Sequence, residues 1–137
     1  MLSKKIKQEV FIRAKFICEY CLTQLAFSSQ PFVCEHIIPT IKNGTDDLDN
    51  LASSCGGCNG HKYDKIIGRD PVTNQFVSLF NPRSMIWQEH FKWSSDLLFI
   101  LGITDIGRAT IETLKLNREG VVNIRLAALL LGRHPPI

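Results

Sequence analysis

Apolar side chains recur at helical spacing from the start of the chain: Ile6, Val10, Ala14 and Ile17, flanked by Phe11 and Ile12. Lys4, Lys5, Lys7, Arg13 and Lys15 occupy the other faces, so the period predicts an amphipathic helix over residues 4–17. Phe32-Val33-Cys34-Glu35-His36-Ile37-Ile38 is rich in β-formers and reads as a strand stopped by Pro39. Residues 39–50 carry turn chemistry, Lys42-Asn43-Gly44-Thr45-Asp46-Asp47 and then Asp49-Asn50. A second strand is expected over 51–54 and a helix from Cys58 to Ile67. The order is helix, turn, strand, loop, strand, helix.

Beyond Gly68-Arg69-Asp70-Pro71 the pattern changes. Phe76–Phe80 reads as a strand ended by Asn81-Pro82-Arg83. Trp87, Phe91 and Trp93 form an aromatic cluster, and Leu97–Ile103 is apolar and strand-like. Two helices, near 107–117 and 119–131, close the chain, with Asn117-Arg118-Glu119-Gly120 between them. The organisation expected is a core over residues 1–70 and an extension over 71–137. Core packing is the favoured reading of the aromatic cluster over base stacking, and a structural role the favoured reading of His90. Arg108, Lys115, Arg118 and Arg125 could line a basic face of the last helices.

Composition narrows the class. The chain has 137 residues, 45% hydrophobic and 21% charged, which is globular rather than disordered usage. The basic N-terminus leads into a periodic segment, not an apolar signal core. No uninterrupted apolar stretch approaches the roughly 20 residues of a membrane helix, so no membrane partner is expected and a cytoplasmic location is. A net charge of +3 permits nucleic-acid binding without demonstrating it.

Cysteine spacing says more. Of five cysteines, Cys18, Cys21, Cys55 and Cys58 make two C-x-x-C pairs, separated by residues 22–54. Such pairs let two thiolates of one tight turn face a metal, and two turns complete a tetrahedron. The long gap is spanned if a hairpin is inserted between the pairs. Filling all four positions implies a closed, structural Zn²⁺ site. A redox motif would need a single pair in a βαβ setting, and an odd count argues against a purely disulfide framework. Cys34 is left over and reads as a buried strand residue.

Between and beyond the pairs lie Glu35-His36-Ile37-Ile38-Pro39, Asp49-Asn50-Leu51 and Cys55-x-x-Cys58-Asn59-x-x-Lys62. In that order, with the cysteine frame, they resemble the HNH endonuclease family over roughly residues 4–70. The resemblance implies an α+β domain with a ββα-metal core, a structural four-cysteine zinc site and a C-terminal α/β extension. It also implies a divalent-metal-dependent endonuclease acting on nucleic acid, with DNA the expected substrate. Segments of the extension, Asp70-Pro71-x-Thr73, Leu79-Phe80-Asn81-Pro82-Arg83 and Trp87-x-x-His90-Phe91-x-Trp93, resemble the tails of small bacterial stand-alone HNH proteins.

Each residue then takes an expected role. His36 is the general base, since its ordinary pKa of about 6.5 leaves it mostly neutral at physiological pH. Glu35 and Asn59 offer oxygen ligands to a catalytic Mg²⁺ or Mn²⁺. Asn59 stands where the family has a histidine, giving an H-N-N variant, with His61 a substitute ligand of lower rank. The resemblance makes Asn50 the residue that pins the loop and orients His36. Lys62, Lys65 and Arg69 are candidate phosphate contacts. Taken alone, a strand histidine is more often a satisfied polar group, and the lysines could be a solvated face; the surrounding motif raises His36 above that reading. The alternative function is a zinc-stabilised nucleic-acid-binding module without catalysis, favoured if Glu35 and His36 are buried or occupied by protein contacts. A secreted nuclease toxin is a third reading, which the thiol-rich frame disfavours. The sequence leaves oligomeric state open, a homodimer included.

Overall fold

Ser3 starts the first helix: its hydroxyl accepts a hydrogen bond from the Ile6 amide at 3.1 Å, and α1 runs Lys4–Arg13 in a computed structural model describing residues 1–137. The helix stops short of the expected residue 17. Lys15 and Phe16 adopt left-handed backbone, with φ of 55° and 58°, which no helix can continue through. The reversal brings Ile17 into an antiparallel bridge with Gln24 and opens the first cysteine turn.

β1 (Val33–His36) and β2 (Leu51–Ser54) pair antiparallel, with Val33 opposite Ser54 and His36 opposite Leu51. α2 (Gly56–Lys62) follows directly. It begins before the expected Cys58, because Cys55 serves as its cap, the sulphur accepting from the Cys58 amide at 3.4 Å. It ends before the expected Ile67, because Tyr63 turns to φ 51°. These three elements form a ββα unit. α1 lies against β2, where the Arg13 guanidinium donates to the carbonyls of Leu48 (2.9 Å) and Leu51 (2.7 Å).

The second half adds two small hairpins and three helices. β3 (Ile67–Arg69) pairs with β4 (Phe76–Ser78). The pattern assigns Ile67 to a helix and Gly68 to a turn, and a three-residue strand interrupted by glycine leaves no period to detect. Gly68 is needed there, since a Cβ would meet the Thr113 hydroxyl at 2.3 Å. α3 (Trp87–His90) leads into β5 (Phe91–Trp93), which pairs with β6 (Ile100–Gly102). α4 (Asp105–Leu114) is capped by the Thr104 hydroxyl, and α5 (Glu119–Leu130) closes the fold.

One apolar core runs through both halves, joining Cys18, Leu22 and Ile37 to Phe80, Trp87, Phe91 and Leu114. Polar ties follow the same seam. The Trp87 indole donates to the Tyr20 carbonyl at 3.1 Å, and Arg83 pairs with Glu19. The Arg125 guanidinium donates to the carbonyls of Leu116 (2.7 Å) and Cys21 (3.3 Å) and lies over the Trp93 ring. Burial pushes its pKa down to about 10. The basic face expected on the last helices therefore does not form: Arg125 is interior, and Arg108 is held in a two-point pair by Asp70 (2.9 and 2.8 Å). No helix is long and apolar enough to cross a membrane.

Two outcomes are expected from this packing. Phe91→Ala should destabilise the fold by about 3–5 kcal/mol and shift one common denaturant transition, read by tryptophan fluorescence and by metal release together. Two separate transitions would show that the halves fold independently. Arg108 holds the Asp70 carboxyl well below the usual carboxylate range through hydrogen bonding. Its contribution is therefore present above about pH 4 and fades as pH falls through the lowered native value. Asp70→Asn should remove that part of the acid sensitivity, and an acid-unfolding curve identical in slope and midpoint would refute it.

Candidate metal centre and active cleft

The first cysteine turn is held by backbone: the Cys18 amide donates to the Thr23 carbonyl (2.8 Å) and the Leu22 amide to the Cys18 carbonyl (2.9 Å). Leu22 sits at φ 61°, the reversal that lets Cys18 and Cys21 face one point. The second turn is the capped start of α2. The hairpin between them brings the pairs together, so that the sulphurs of Cys18, Cys21, Cys55 and Cys58 all lie within 4.8 Å of one another, all buried. Cys21 and Cys55 are 3.7 Å apart, sulphur to sulphur. Hydrogen bonds from Cys18, Cys21 and Cys58 drive the Cys55 thiol far below its ordinary pKa. Four soft donors, buried and crowded, suit a structural metal ion, and their chemistry fits zinc. Such an ion turns cysteine convergence into folding free energy, about 10–16 kcal/mol in small zinc peptides.

β1 carries the motif residues to opposite faces, as a period of two requires. Glu35 points inward and is 4% exposed. Its Oε2 accepts from the Tyr20 hydroxyl at 2.6 Å, and its Oε1 lies 2.6 Å from the Lys62 ammonium. The Lys62 contact is ionic rather than an aligned hydrogen bond, since Oε1 receives no correctly directed N–H. The ammonium donates instead to the Ile37 carbonyl at 2.8 Å. Lys62 is 1% exposed, so it does not lie on a phosphate-facing surface. The reading of Lys62 as a phosphate contact is corrected on that ground: α2 turns it inward to neutralise Glu35. Burial and the Glu35 charge push the Tyr20 phenol well above its ordinary pKa, which keeps it protonated and able to donate.

His36 faces outward and stays partly exposed. Its Nε2 is 2.7 Å from Asp46 Oδ1. The loop that brings Asp46 there is clamped by Asn50, whose amide oxygen accepts from the Ile38 amide (2.9 Å). The Asn50 amide nitrogen donates to the carbonyls of Ile38 (3.0 Å) and Thr45 (2.8 Å). Gly44 is required in that loop, since a Cβ would lie 1.7 Å from the Ile38 carbonyl oxygen. A cleft of about 280 Å³ opens beside this strand, and Glu35, His36, Thr40, Asn59 and Tyr63 are among its walls. His61 is exposed and is not among them. Lys65 is exposed, its ammonium near the His61 carbonyl. Arg69, also exposed, pairs with Asn74 (3.0 Å) and more loosely with Glu112 (3.5 Å).

The pattern of the sequence does not single out Tyr20 and Asp46. Tyr20 sits between two metal-binding cysteines, where a buried phenol has no periodic signature. Asp46 falls in a run of turn residues, where an aspartate ordinarily serves the backbone.

A ββα unit with a four-cysteine centre at one end and a histidine at the open edge of its hairpin defines a class of zinc-braced domain. Comparison with family models agrees over part of the chain: residues 18–65 match the HNH endonuclease model. No curated protein and no solved structure matches the chain.

Cys55→Ser should abolish stoichiometric zinc binding and unfold the ββα unit, read by metal analysis and circular dichroism. A variant that stays folded without metal would refute the structural role.

Proposed function

We propose that the chain is a divalent-metal-dependent endonuclease that hydrolyses phosphodiester bonds in nucleic acid, DNA being the expected substrate, with His36 as general base. The observation that carries this reading is the partly exposed His36 imidazole, fixed by Asp46 at the wall of a cleft shared with Asn59. If Nε2 donates its proton to Asp46, Nδ1 is left unprotonated and free to take a proton from water. Asp46 then holds the tautomer and stabilises the imidazolium that forms. Asn50 acts one step back, by holding the backbone that presents both residues.

Glu35 and Asn59 are the oxygen donors that would hold Mg²⁺ or Mn²⁺. Both residues line the cleft, and their oxygen donors suit a hard cation. Such an ion supplies charge stabilisation at the scissile phosphate and the leaving oxygen. Lys62 tunes this site, because its ammonium already shares the Glu35 charge. Lys65 and Arg69 remain on the surface as phosphate contacts. The thiol-rich frame suits a reducing compartment such as the cytoplasm.

The engagement of Glu35 by Tyr20 and Lys62 favours one second reading, a zinc-stabilised nucleic-acid-binding module without catalysis. Plasmid cleavage with Mg²⁺, with Mn²⁺ and without divalent ion separates the two. Cutting that needs the ion supports the nuclease, and a mobility shift without cutting supports the module. His36→Ala should lower cleavage to background while leaving zinc content and circular dichroism unaltered. Undiminished cutting by that variant would refute His36 as the base.

A further inference from the structure

Four thiolates on one divalent ion leave a net charge of about −2. Buried without compensation, such a charge is costly. One cation approaches the sulphurs themselves. Arg118, at the start of α5, directs Nη2 to Cys55 Sγ at 3.2 Å and Nη1 to Cys58 Sγ at 3.5 Å. The same Nη1 donates to the carbonyls of Leu114 (3.3 Å) and Lys115 (3.1 Å), where α4 ends. The guanidinium is thus oriented from one side by a helix terminus and aimed at the two second-pair cysteines from the other. Its planar fork suits two acceptors at once.

Gly57 makes room for it. A Cβ at that position would lie 2.5 Å from Arg118 Nη2 and 2.8 Å from its guanidinium carbon. The other two glycines of α2, Gly56 and Gly60, would meet nothing within 4 Å. Glycine disfavours a helix, and at position 57 alone in α2 it has a steric reason. Arg125 provides the contrast. It is also buried near the centre, but it meets Cys21 through the carbonyl and makes no hydrogen bond to sulphur.

We propose that Arg118 is a positioning residue of the zinc centre. It donates to the Cys55 and Cys58 thiolates through space that Gly57 leaves open, and it holds the metal by offsetting their charge. Zinc affinity is thereby tied to the docking of α5 on the ββα unit. The inference rests on zinc filling the four-cysteine site, which stoichiometric zinc on the unaltered full chain tests separately. A chain that binds no zinc there overturns both readings.

The test is competition with a chromophoric chelator, together with the sulphur-to-cobalt charge-transfer band of the Co²⁺-substituted full chain. Arg118→Met should weaken zinc binding by about 10- to 100-fold, the range for partners outside the ligand set, and should shift the band. Arg118→Lys should restore part of both. Gly57→Ala, which keeps the arginine but displaces it, should reproduce the shift and serves if Arg118→Met does not fold. Arg125→Met should lower thermal stability and leave the band in place. Arg118→Met or Gly57→Ala with unaltered affinity and band would overturn the proposal. So would an Arg125→Met variant that shifts the band equally, because the effect would then be helix undocking.

Discussion

Cys18 and Cys21 leave a broken helix, Cys55 and Cys58 open a new one, and four sulphurs within 4.8 Å of each other join the two places. Residues 22–54 lie between the pairs, so closing them determines where the β1–β2 hairpin sits. The hairpin and a seven-residue helix bury little by themselves. A metal held at the junction supplies what so small an apolar interior does not. The second half of the chain then packs around that junction. Arg83 reaches Glu19, Trp87 reaches the Tyr20 carbonyl, Arg125 the Cys21 carbonyl and Arg118 two of the sulphurs. Every residue of the first cysteine turn from Glu19 to Cys21 is therefore in polar contact with residues 71–137.

The centre also reaches the cleft through one buried network. Tyr20 stands between two of the cysteines, and its hydroxyl meets Glu35, whose other oxygen faces Lys62. Lys62 in turn donates to the carbonyl of Ile37, next to His36. The metal-binding turn, β1 and α2 are thus joined beneath the histidine. On the open side Asn50 clamps the loop and Asp46 meets the imidazole. His36 is consequently held from below by buried charge and from above by loop hydrogen bonds, and remains partly accessible itself.

Fold class and the four-cysteine centre were legible in the sequence. The second strand was as well, while the first is shorter than its apolar run. Spacing carries those features: two C-x-x-C pairs, a β-rich run ended by proline, and a short strand leading into cysteine. Element ends were less legible, and for local reasons. α1 stops at Arg13 because the backbone reverses at Lys15, a residue that otherwise suits helices. α2 begins early because a cysteine, rather than serine or aspartate, caps it. β3 is three residues long with a glycine at its centre, too short to show any period.

The chain's own order of residues determined that four cysteines would meet, because that depends on spacing, while the family resemblance pointed to Glu35, His36, Asn50 and Asn59 around one hairpin. Tertiary structure alone decided which charges are spent internally. It turned Lys62 inward to Glu35, brought Asp46 to His36, and placed Arg118 and Arg125 against the metal-binding turns instead of on a basic surface. Such choices depend on which distant element a side chain faces. Spacing within a helix or loop carries no record of that, since the partner is brought near only when the rest of the chain has packed.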